Sequence, residues 1–252
     1  MGNIIAIANQ KGGVGKTTTA INLASCLAVA EKRTLLVDID PQGNSTSGVG
    51  LDKNKMDISI YEILLGEAAV ENAIQDTDIK FLNILPSNIR LVGAEVELVT
   101  VEGREFRLKN ALKKIEQDYE FIIIDCPPSL GLLTVNALAA ADSLIIPIQC
   151  EYYALEGLTQ LLSTVNLVKK RLNPSLEIHG VLLTMYDSRL NLSKQVAEEA
   201  RRFFHDKVFD TVISRNVRLS EAPGFGKPIL LYDIFCTGAA NYMNLAREVL
   251  TR

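Results

Sequence analysis

The amino-acid sequence predicts an α/β fold of three layers, in which a mostly parallel, twisted sheet lies between helices on both faces. Three observations support this prediction. Short apolar runs recur along the 252 residues, stretches with helical spacing separate them, and 48% of the residues are hydrophobic, enough for a sizeable core. Strands that alternate with helices favour parallel pairing through right-handed crossovers. Because no Pro/Gly/Ser-rich linker and no internal repeat interrupts the pattern, we expect one domain spanning residues 1–252.

Apolar runs bounded by polar residues are typical of buried strands. The strongest are IIAIA (4–8), TLLVDID (34–40), FIIID (121–125), SLIIPI (143–148) and GVLLTM (180–185). FLNIL (81–85) and TVIS (211–214) are weaker strand predictions. Other stretches combine apolar residues at helical spacing with charged residues on the opposite face. These predicted helices are AINLASCLA (20–28), EFRLKNALKKI (105–115), GLTQLLSTVNLVKKRL (157–172) and KQVAEEARRFF (194–204).

Composition excludes several classes of protein. The four cysteines lack C-x-x-C spacing and there are only two histidines, which argues against a disulfide framework or a zinc site and for free thiols in a reducing cytoplasm. No apolar run is long enough to span a bilayer, and the amino terminus does not resemble a secretion signal. The net charge of −4 excludes a globally basic nucleic-acid coat but permits a local basic patch.

The stretch NQKGGVGKTTT (9–19) is a predicted phosphate loop, because it follows a strand and precedes a helix. Its glycines permit positive φ and let backbone N–H groups point at phosphate oxygens, and the following helix adds its positive dipole end. Lys16 supplies a charge for the β- and γ-phosphates, Thr17 a hydroxyl for Mg²⁺, and Thr18 a donor for the α-phosphate. The predicted nucleotide-binding residues are Gly12, Gly13, Val14, Gly15, Lys16, Thr17 and Thr18.

The loop departs from the general P-loop pattern, because Gln10 replaces its first glycine and Lys11 follows. A second cation near the γ-phosphate would stabilise the charge that develops during hydrolysis. Lys11 could extend to a neighbour's nucleotide in a symmetric dimer, bind its own phosphate, or face water. The residues alone leave these three alternatives open.

Three aspartates follow strands at the edge where ligands bind in open α/β sheets. Asp40 lies just past its strand, where a carboxylate can orient an attacking water. Asp125 ends the run FIIID and has the form of a Walker B carboxylate, which holds Mg²⁺ directly or through water. Asp38 is expected either close to Mg²⁺ but outside its direct ligands, or as an anchor for the loop that follows its strand. For each aspartate the alternative is a cap of a turn or helix. Cys126 is interpreted as a small buried residue, because no histidine lies nearby in sequence to activate it.

Several stretches together resemble the deviant Walker-A ATPases of the ParA/MinD group. They are KGGVGKTT, VDIDPQGN and IIIDCPPSLG. Further stretches resemble the chromosomal ParA (Soj-type) branch, and the likeness covers nearly the whole chain. These are QCEYYALEGL, GVLLTMYD and SRNVRLSEAPGFGKPI.

The resemblance implies a P-loop ATPase that uses ATP and Mg²⁺ and forms a face-to-face homodimer when ATP binds. It implies that Lys11 reaches the partner's nucleotide, that Asp40 assists a slow hydrolysis, and that Met185 and Pro223 contact the adenine base. It further implies that the ATP dimer binds DNA without sequence preference at the nucleoid. A ParB-type partner protein would stimulate hydrolysis and release the dimer from DNA, without a membrane step.

DNA affinity requires local cations, because it arises from phosphate neutralisation and not from net charge. Arg189, Arg218 and, less strongly, Arg215 are the candidates, and the family pattern places basic residues of these regions on one face of the dimer. Two linked copies would bind where one binds poorly. The alternative is an ordinary solvated surface, which we prefer for Arg201 and Arg202 because they lie beside glutamates on a predicted helix.

Three rival functions share parts of this pattern. A MinD-like membrane ATPase needs a basic amphipathic helix at the carboxyl terminus, whereas the chain ends in AANYMNLAREVLTR with mixed charges. An iron–sulfur reductase needs a cysteine pair at a dimer interface, which Cys126 and Cys150 do not match. An ATP-dependent amidotransfer or carboxylation enzyme should depend on a small substrate instead of DNA and a ParB-type partner.

Overall fold

The computed structural model describes residues 2–151 and 158–252. One sheet of seven strands has the order β3-β4-β2-β5-β1-β6-β7, and all neighbours are parallel except β3 and β4. The predicted mostly parallel α/β sheet is thus confirmed. The strands are β1 (Asn3–Ile7), β2 (Thr34–Asp38), β3 (Gln75–Asp76), β4 (Leu82–Leu85), β5 (Phe121–Asp125), β6 (Ser143–Gln149) and β7 (Glu177–Thr184).

Helices connect the strands and cover the sheet. The α-helices of the described residues are α1 (Lys16–Val29), α2 (Asn44–Gly48), α3 (Ile60–Leu65), α4 (Leu91–Glu97), α5 (Arg107–Leu112), α6 (Leu132–Ala140), α7 (Leu158–Arg171), α8 (Asn191–Phe204), α9 (Val217–Glu221), α10 (Ile229–Tyr232) and α11 (Thr237–Thr251). Short 3₁₀ turns lie at Lys53–Lys55, Val70–Asn72, Leu98–Thr100, Arg104–Phe106, His205–Lys207 and Ala222–Phe225.

Two hydrophobic cores lie on opposite faces of the sheet, because successive side chains of a strand point to opposite sides. In β1, Ile4 and Ala6 pack into a core shared with α3 to α8, whereas Ile5 and Ile7 pack against α1, α10 and α11. Every strand between the edges is therefore apolar on both sides, as the continuous apolar runs predict. The three predicted layers are confirmed.

The strand order brings the candidate site residues together. β5 lies between β1 and β2, with Ile7 opposite Asp125 on one side and Asp38 opposite Asp125 on the other. The phosphate loop, Asp38 and Asp125 therefore leave the sheet side by side at its carboxyl edge, although they are far apart in sequence. Parallel pairing alone accounts for this convergence.

The weaker strand predictions had different outcomes. FLNIL corresponds to β4, but the TVIS prediction is wrong, because residues 211–214 form only an isolated bridge between Tyr186 and Ser214. The backbone there bonds to the end of β7 through Ile213 N–H and Leu183 O (2.8 Å) without extending a ladder. The two-residue β3 was not predicted. The predicted helix at 157–172 corresponds to α7, but its first predicted residue lies outside the described residues. Most of the stretch QCEYYALEGL also lies outside them.

No helix among residues 2–151 and 158–252 is long and apolar enough to cross a membrane.

Candidate functional site

The phosphate loop joins β1 to α1 and exposes its backbone. Gly13 and Gly15 have φ of 74° and 89°, the left-handed region that glycine adopts without steric cost. A Cβ added at Gly12 or Gly13 would have nothing within 4 Å, so the space next to these residues is open. The loop is held from β7, where the Thr184 hydroxyl donates to the Val14 carbonyl (2.8 Å). An open glycine backbone that ends in a helix N-terminus is suited to bind an anion.

Lys16 is the first residue of α1 and is only 6% exposed. Its Nζ donates to the Lys11 carbonyl at 3.1 Å, which places the ammonium across the loop. Burial lowers the pKa of Lys16, and the negative charge of Asp125 opposes that effect. A buried cation that has few partners would gain a strong interaction with a phosphate.

Lys11 differs from Lys16 in its surroundings. Its backbone N–H donates to Asn9 Oδ1 (3.0 Å), and Asn9 is anchored through Nδ2 to the Pro147 carbonyl (2.7 Å). The Lys11 side chain is half-buried, and its ammonium forms no ion pair or hydrogen bond with other described residues. The base of this side chain is therefore fixed while its charge is uncompensated within the described chain.

Asp38 and Asp125 are fully buried on neighbouring strands. Asp38 Oδ2 accepts from both the backbone N–H and the hydroxyl of Thr46 (2.8 Å each), and Oδ1 accepts from Asp40 N–H (3.2 Å). Despite these hydrogen bonds, burial raises the pKa of Asp38 to about 6. Asp38 thus anchors the loop after β2, which is one of the two roles expected from the sequence.

Asp125 has one bonded and one free carboxylate oxygen. Oδ2 accepts from the Ser45 hydroxyl (2.8 Å), whereas the buried Oδ1 has no hydrogen-bond partner among the described residues. Burial, followed by the charge of Asp38, raises the pKa of Asp125 to about 8, and the hydroxyls of Ser45 and Thr17 oppose this shift. An unpaired buried carboxylate oxygen near a threonine hydroxyl is a hard donor set that fits Mg²⁺.

Asp40 lies in the loop after β2 and is 7% exposed. Its Oδ1 accepts from Gln42 N–H (2.9 Å), and its carbonyl accepts from the Ser87 hydroxyl (2.7 Å) and Gly43 N–H (2.9 Å). The carboxylate is thereby held at the cavity that the phosphate loop forms.

Two cavities meet at the phosphate loop. The phosphate cavity, of about 340 Å³, is lined by Gly12, Gly13, Gly15, Lys16, Thr17, Thr18, Asp40, Gln42, Asn44, Pro128 and Met185. The base cavity, of about 250 Å³, is lined by Gly15, Thr18, Thr184, Met185, Ile213, Ser214, Arg215, Asn216, Leu219, Ser220, Pro223 and Tyr242. Gly15, Thr18 and Met185 belong to both. One elongated ligand with a polar end and a flat apolar end would occupy the pair.

Met185 and Pro223 both line the base cavity, although they lie on different segments. Met185 has φ of +50°, which is uncommon for a residue other than glycine and here turns the chain sharply after β7. Tyr242 closes the cavity from α11, and its hydroxyl lies 3.2 Å from the Thr19 hydroxyl of α1. The base cavity therefore combines elements from three parts of the chain.

Sequence reasoning missed several lining residues. Gln42, Asn44 and Pro128 face the phosphate cavity, and Asn216 faces the base cavity. Gln42 and Asn44 belong to the same DPQGN stretch as Asp40, so their proximity to a predicted site residue was the available signal. Cys126 is fully buried, and burial raises the pKa of its thiol far above the usual range, as expected for a residue without a nucleophilic role.

The three arginines predicted to bind DNA, Arg189, Arg215 and Arg218, are exposed, and each is paired with a carboxylate. Arg189, whose side chain is 86% exposed, forms a bidentate pair with Asp187 (2.9 and 2.7 Å) and lowers the pKa of Asp187 to about 2. Arg215 contacts Glu151 (3.4 Å) and also lines the base cavity. Their positive charge is therefore partly compensated within one chain.

Arg218 lies on α9 and pairs with Glu221 (2.9 Å) at the end of the same helix and with Asp233 (3.5 Å), which follows α10. The turn after α9 contacts the residues that follow α2 through bare backbone. A Cβ at Gly226 would lie 3.0 Å from Gly50 Cα, and one at Gly50 would lie 3.1 Å from the Gly226 carbonyl oxygen. Both glycines have positive φ, 63° and 97°, so neither position accommodates another residue without strain.

Comparisons with known proteins agree with this geometry. A family model described as an AAA domain matches residues 2–178. The solved structure of cobyrinic acid a,c-diamide synthase from Mycobacterium smegmatis, with bound ADP and magnesium, is similar with a TM-score of 0.88 and 40% identity. That similarity covers 99% of this chain and 94% of the other. The chain thus shares its fold with a protein solved with a nucleotide and magnesium.

Curated relatives are more similar in sequence. The sporulation initiation inhibitor protein Soj of Bacillus subtilis (strain 168) is 61% identical over 249 residues, which cover 99% of this chain and 98% of that protein. The chromosome partitioning protein ParA of Myxococcus xanthus (strain DK1622) is 58% identical over 252 residues, 100% of this chain and 89% of that protein. Since the likeness is high and spans both proteins almost end to end, this chain belongs to the ParA/Soj family of chromosome partitioning ATPases.

Proposed function

We propose that this chain is an ATPase that forms a homodimer on binding ATP, binds DNA without sequence preference as that dimer, and acts with a ParB-type protein in chromosome or plasmid segregation. It uses ATP and Mg²⁺ and hydrolyses ATP slowly until the partner stimulates it. It works in the cytoplasm at the nucleoid as a single domain of residues 1–252. The observation that carries the proposal is the contrast between the lysines: Lys16 lines the phosphate cavity, and Lys11 does not.

The residues of the phosphate cavity divide the work of binding. The open amides around Gly12 and Gly13, together with Lys16, hold the phosphates, and Thr18 lies at the junction with the base cavity. Met185 and Pro223 provide the apolar surface for the adenine. Thr17 and the free oxygen of Asp125 would hold Mg²⁺, directly or through water. When bound, Mg²⁺ neutralises part of the phosphate charge.

Asp40 orients the attacking water. Its Oδ1 is engaged by Gln42 N–H, which leaves Oδ2 as the oxygen that accepts a hydrogen bond from water. Anchoring through the Ser87 hydroxyl fixes the distance between this carboxylate and the phosphate loop. A positioned acceptor of this kind typically contributes about 10²-fold or more to a hydrolysis rate.

Lys11 supplies the missing charge in the partner's site. Its side chain is outside its own phosphate cavity, and its ammonium has no carboxylate partner among the described residues. In a two-fold dimer that pairs the phosphate cavities, each copy gives its Lys11 to the other. The charge that develops during hydrolysis is then stabilised only in the dimer, so the dimer is the active form.

DNA binding follows from dimerisation. Each copy contributes three candidate arginines, Arg189, Arg215 and Arg218, and carboxylates compensate them in the single chain. Two copies joined by ATP present twice the number of arginines to one duplex, and the second set binds at high effective concentration. DNA affinity therefore depends on ATP without any contact between ATP and DNA.

Light scattering after size-exclusion chromatography tests the proposal on the wild type and on Asp40→Ala, with ADP, ATP, and ATP plus DNA. We expect monomers with ADP and dimers with ATP, more persistent in Asp40→Ala because hydrolysis no longer dissolves them. DNA should co-elute with the dimer alone. A monomer under all conditions, or DNA that co-elutes equally with the ADP form, would contradict the proposal.

A further inference from the structure

Ser45 forms an unusual contact for a serine in a helix. It lies on α2, it is fully buried, and its hydroxyl donates to Asp125 Oδ2 at 2.8 Å across 80 residues of sequence. Several other serines in helices of this chain bond back to the carbonyl four residues earlier, as Ser47 does to Gly43 (3.0 Å) and Ser25 to Ile21 (2.7 Å). Ser45 lies in the first turn of α2, so its hydroxyl is free to make a tertiary contact, and that contact is with Asp125.

The contact engages only one of the two carboxylate oxygens of Asp125. Oδ2 is occupied by Ser45, and the buried Oδ1 is without a partner among the described residues. A carboxylate can rotate about its last bond, which changes the direction in which its oxygens point. The hydrogen bond from Ser45 fixes the plane of the carboxylate, so the oxygen that Ser45 does not engage is held in a defined position and remains available to a cation.

The neighbouring residue makes the same connection to the other buried carboxylate. Thr46 donates to Asp38 Oδ2 through both its backbone N–H and its hydroxyl, and its hydroxyl oxygen accepts from Ser87 N–H (2.9 Å). Two consecutive residues of α2 therefore hold Asp38 and Asp125. The same short segment begins with Asp40, which is five residues before Ser45.

We propose that Ser45 is a positioning residue of the magnesium site: its hydroxyl holds Asp125 so that one defined oxygen faces the cation. The inference rests on the proposed function, since it assumes that Asp125 serves Mg²⁺. It adds that the loop carrying Asp40 and the metal carboxylate are fixed to each other through Ser45. Groups that orient a metal ligand typically contribute about 10- to 100-fold to metal affinity.

The test is a Mg²⁺ titration of the binding of a fluorescent ADP analogue by the full chain. The variants are Ser45→Ala, Ser45→Thr, which keeps the hydroxyl, and Ser47→Ala as a matched control on the same helix. We expect Ser45→Ala to raise the Mg²⁺ concentration at half-maximal effect about tenfold, with unchanged analogue affinity in excess chelator. Ser45→Thr and Ser47→Ala should stay within about twofold of the wild type.

Several results would overturn the inference. If the Mg²⁺ concentration at half-maximal effect is unchanged in Ser45→Ala, or shifts equally in Ser47→Ala, Ser45 does not position the metal ligand and contributes only to packing. If Ser45→Ala does not fold, Ser45→Thr decides: a midpoint near that of the wild type supports the role of the hydroxyl, and a tenfold shift opposes it. If the wild type binds the analogue without any dependence on Mg²⁺, the proposed metal site fails, and this inference fails with it.

Discussion

The nucleotide cavities and the three arginines differ in how much of their chemistry a single chain has assembled. The charged residues at and behind the phosphate cavity, Lys16, Asp40, Asp38 and Asp125, are buried. The single chain already holds them in place, as the three hydrogen bonds of Asp38 show. The arginines are exposed and paired with acidic neighbours such as Asp187 and Glu221. Exposed pairs of this kind contribute little to stability and exchange readily for other partners. The chain is thus preorganised to bind nucleotide, whereas the proposed binding of DNA would first have to displace these internal counterions.

The largest effect is expected from Lys16→Ala. Loss of a buried ammonium that faces phosphate should weaken ATP binding by about 3 kcal/mol or more, over a hundredfold. Binding of a fluorescent ATP analogue measures the loss. Lys11→Ala is the matched control, since it removes a lysine of the same loop and should spare nucleotide affinity while abolishing the ATP dimer. Equal losses of affinity in both variants would show that the two lysines are not distinct.

Asp40→Ala should lower the rate of ATP hydrolysis about a hundredfold, because a held acceptor for the attacking water is lost. Phosphate release under saturating ATP measures the rate, and light scattering checks that the dimer persists. Asp57→Ala, in the exposed stretch after α2, is the control and should leave the rate unchanged. An unchanged rate in Asp40→Ala would remove the assigned role.

The buried carboxylates predict an effect of pH on the stability of the metal-free protein. Their folded pKa values, about 6 for Asp38 and about 8 for Asp125, lie above the unfolded value of about 3.9. Between pH 4 and 8 the folded state therefore binds more protons than the unfolded state, and the free energy of unfolding falls as pH rises.

Urea unfolding at pH 5.5 and 8, in wild type and Asp125→Asn, isolates this effect. In Asp125→Asn the free energy of unfolding should fall much less between pH 5.5 and 8. The substitution removes one buried carboxylate and also removes its repulsion of Asp38. Burial lowers the pKa of His179, which acts in the opposite direction, so the difference between the two proteins is the quantity to compare. An identical pH dependence in both proteins would contradict the prediction.

The smallest effects concern the arginines and have opposite signs. Arg189→Glu should weaken retention of the ATP dimer on DNA and reduce its salt slope by about two, one unit for each copy. Asp187→Asn should strengthen retention, because it frees Arg189 from its bidentate partner. Filter binding across a salt series measures both. Arg202→Glu on α8 is the control. If it weakens DNA retention as much as Arg189→Glu does, retention depends on overall charge and not on Arg189 in particular.

The sequence predicts that Lys16, Asp38 and Asp125 lie close together, because their places follow from strands. β1, β2 and β5 are apolar runs, and parallel pairing alone brings Lys16, Asp38 and Asp125 to one edge. Contacts between distant segments were not predictable in the same way. The hydrogen bond from Ser45 to Asp125 joins residues 80 positions apart, and nothing in the sequence around either residue indicates it. TVIS has the β-branched residues of a strand, but in the fold it forms only the bridge between Tyr186 and Ser214.

The contact of Gly50 with Gly226 has a mechanical consequence. Side chains usually absorb small movements of packed segments by changing rotamer, but here two main chains touch with nothing between them. A shift of the residues that follow α2 toward Gly226 cannot be absorbed locally and must be passed on as a displacement of the chain behind it. That chain carries Arg218, so a displacement of the residues after α2 would also move one of the arginines proposed to bind DNA.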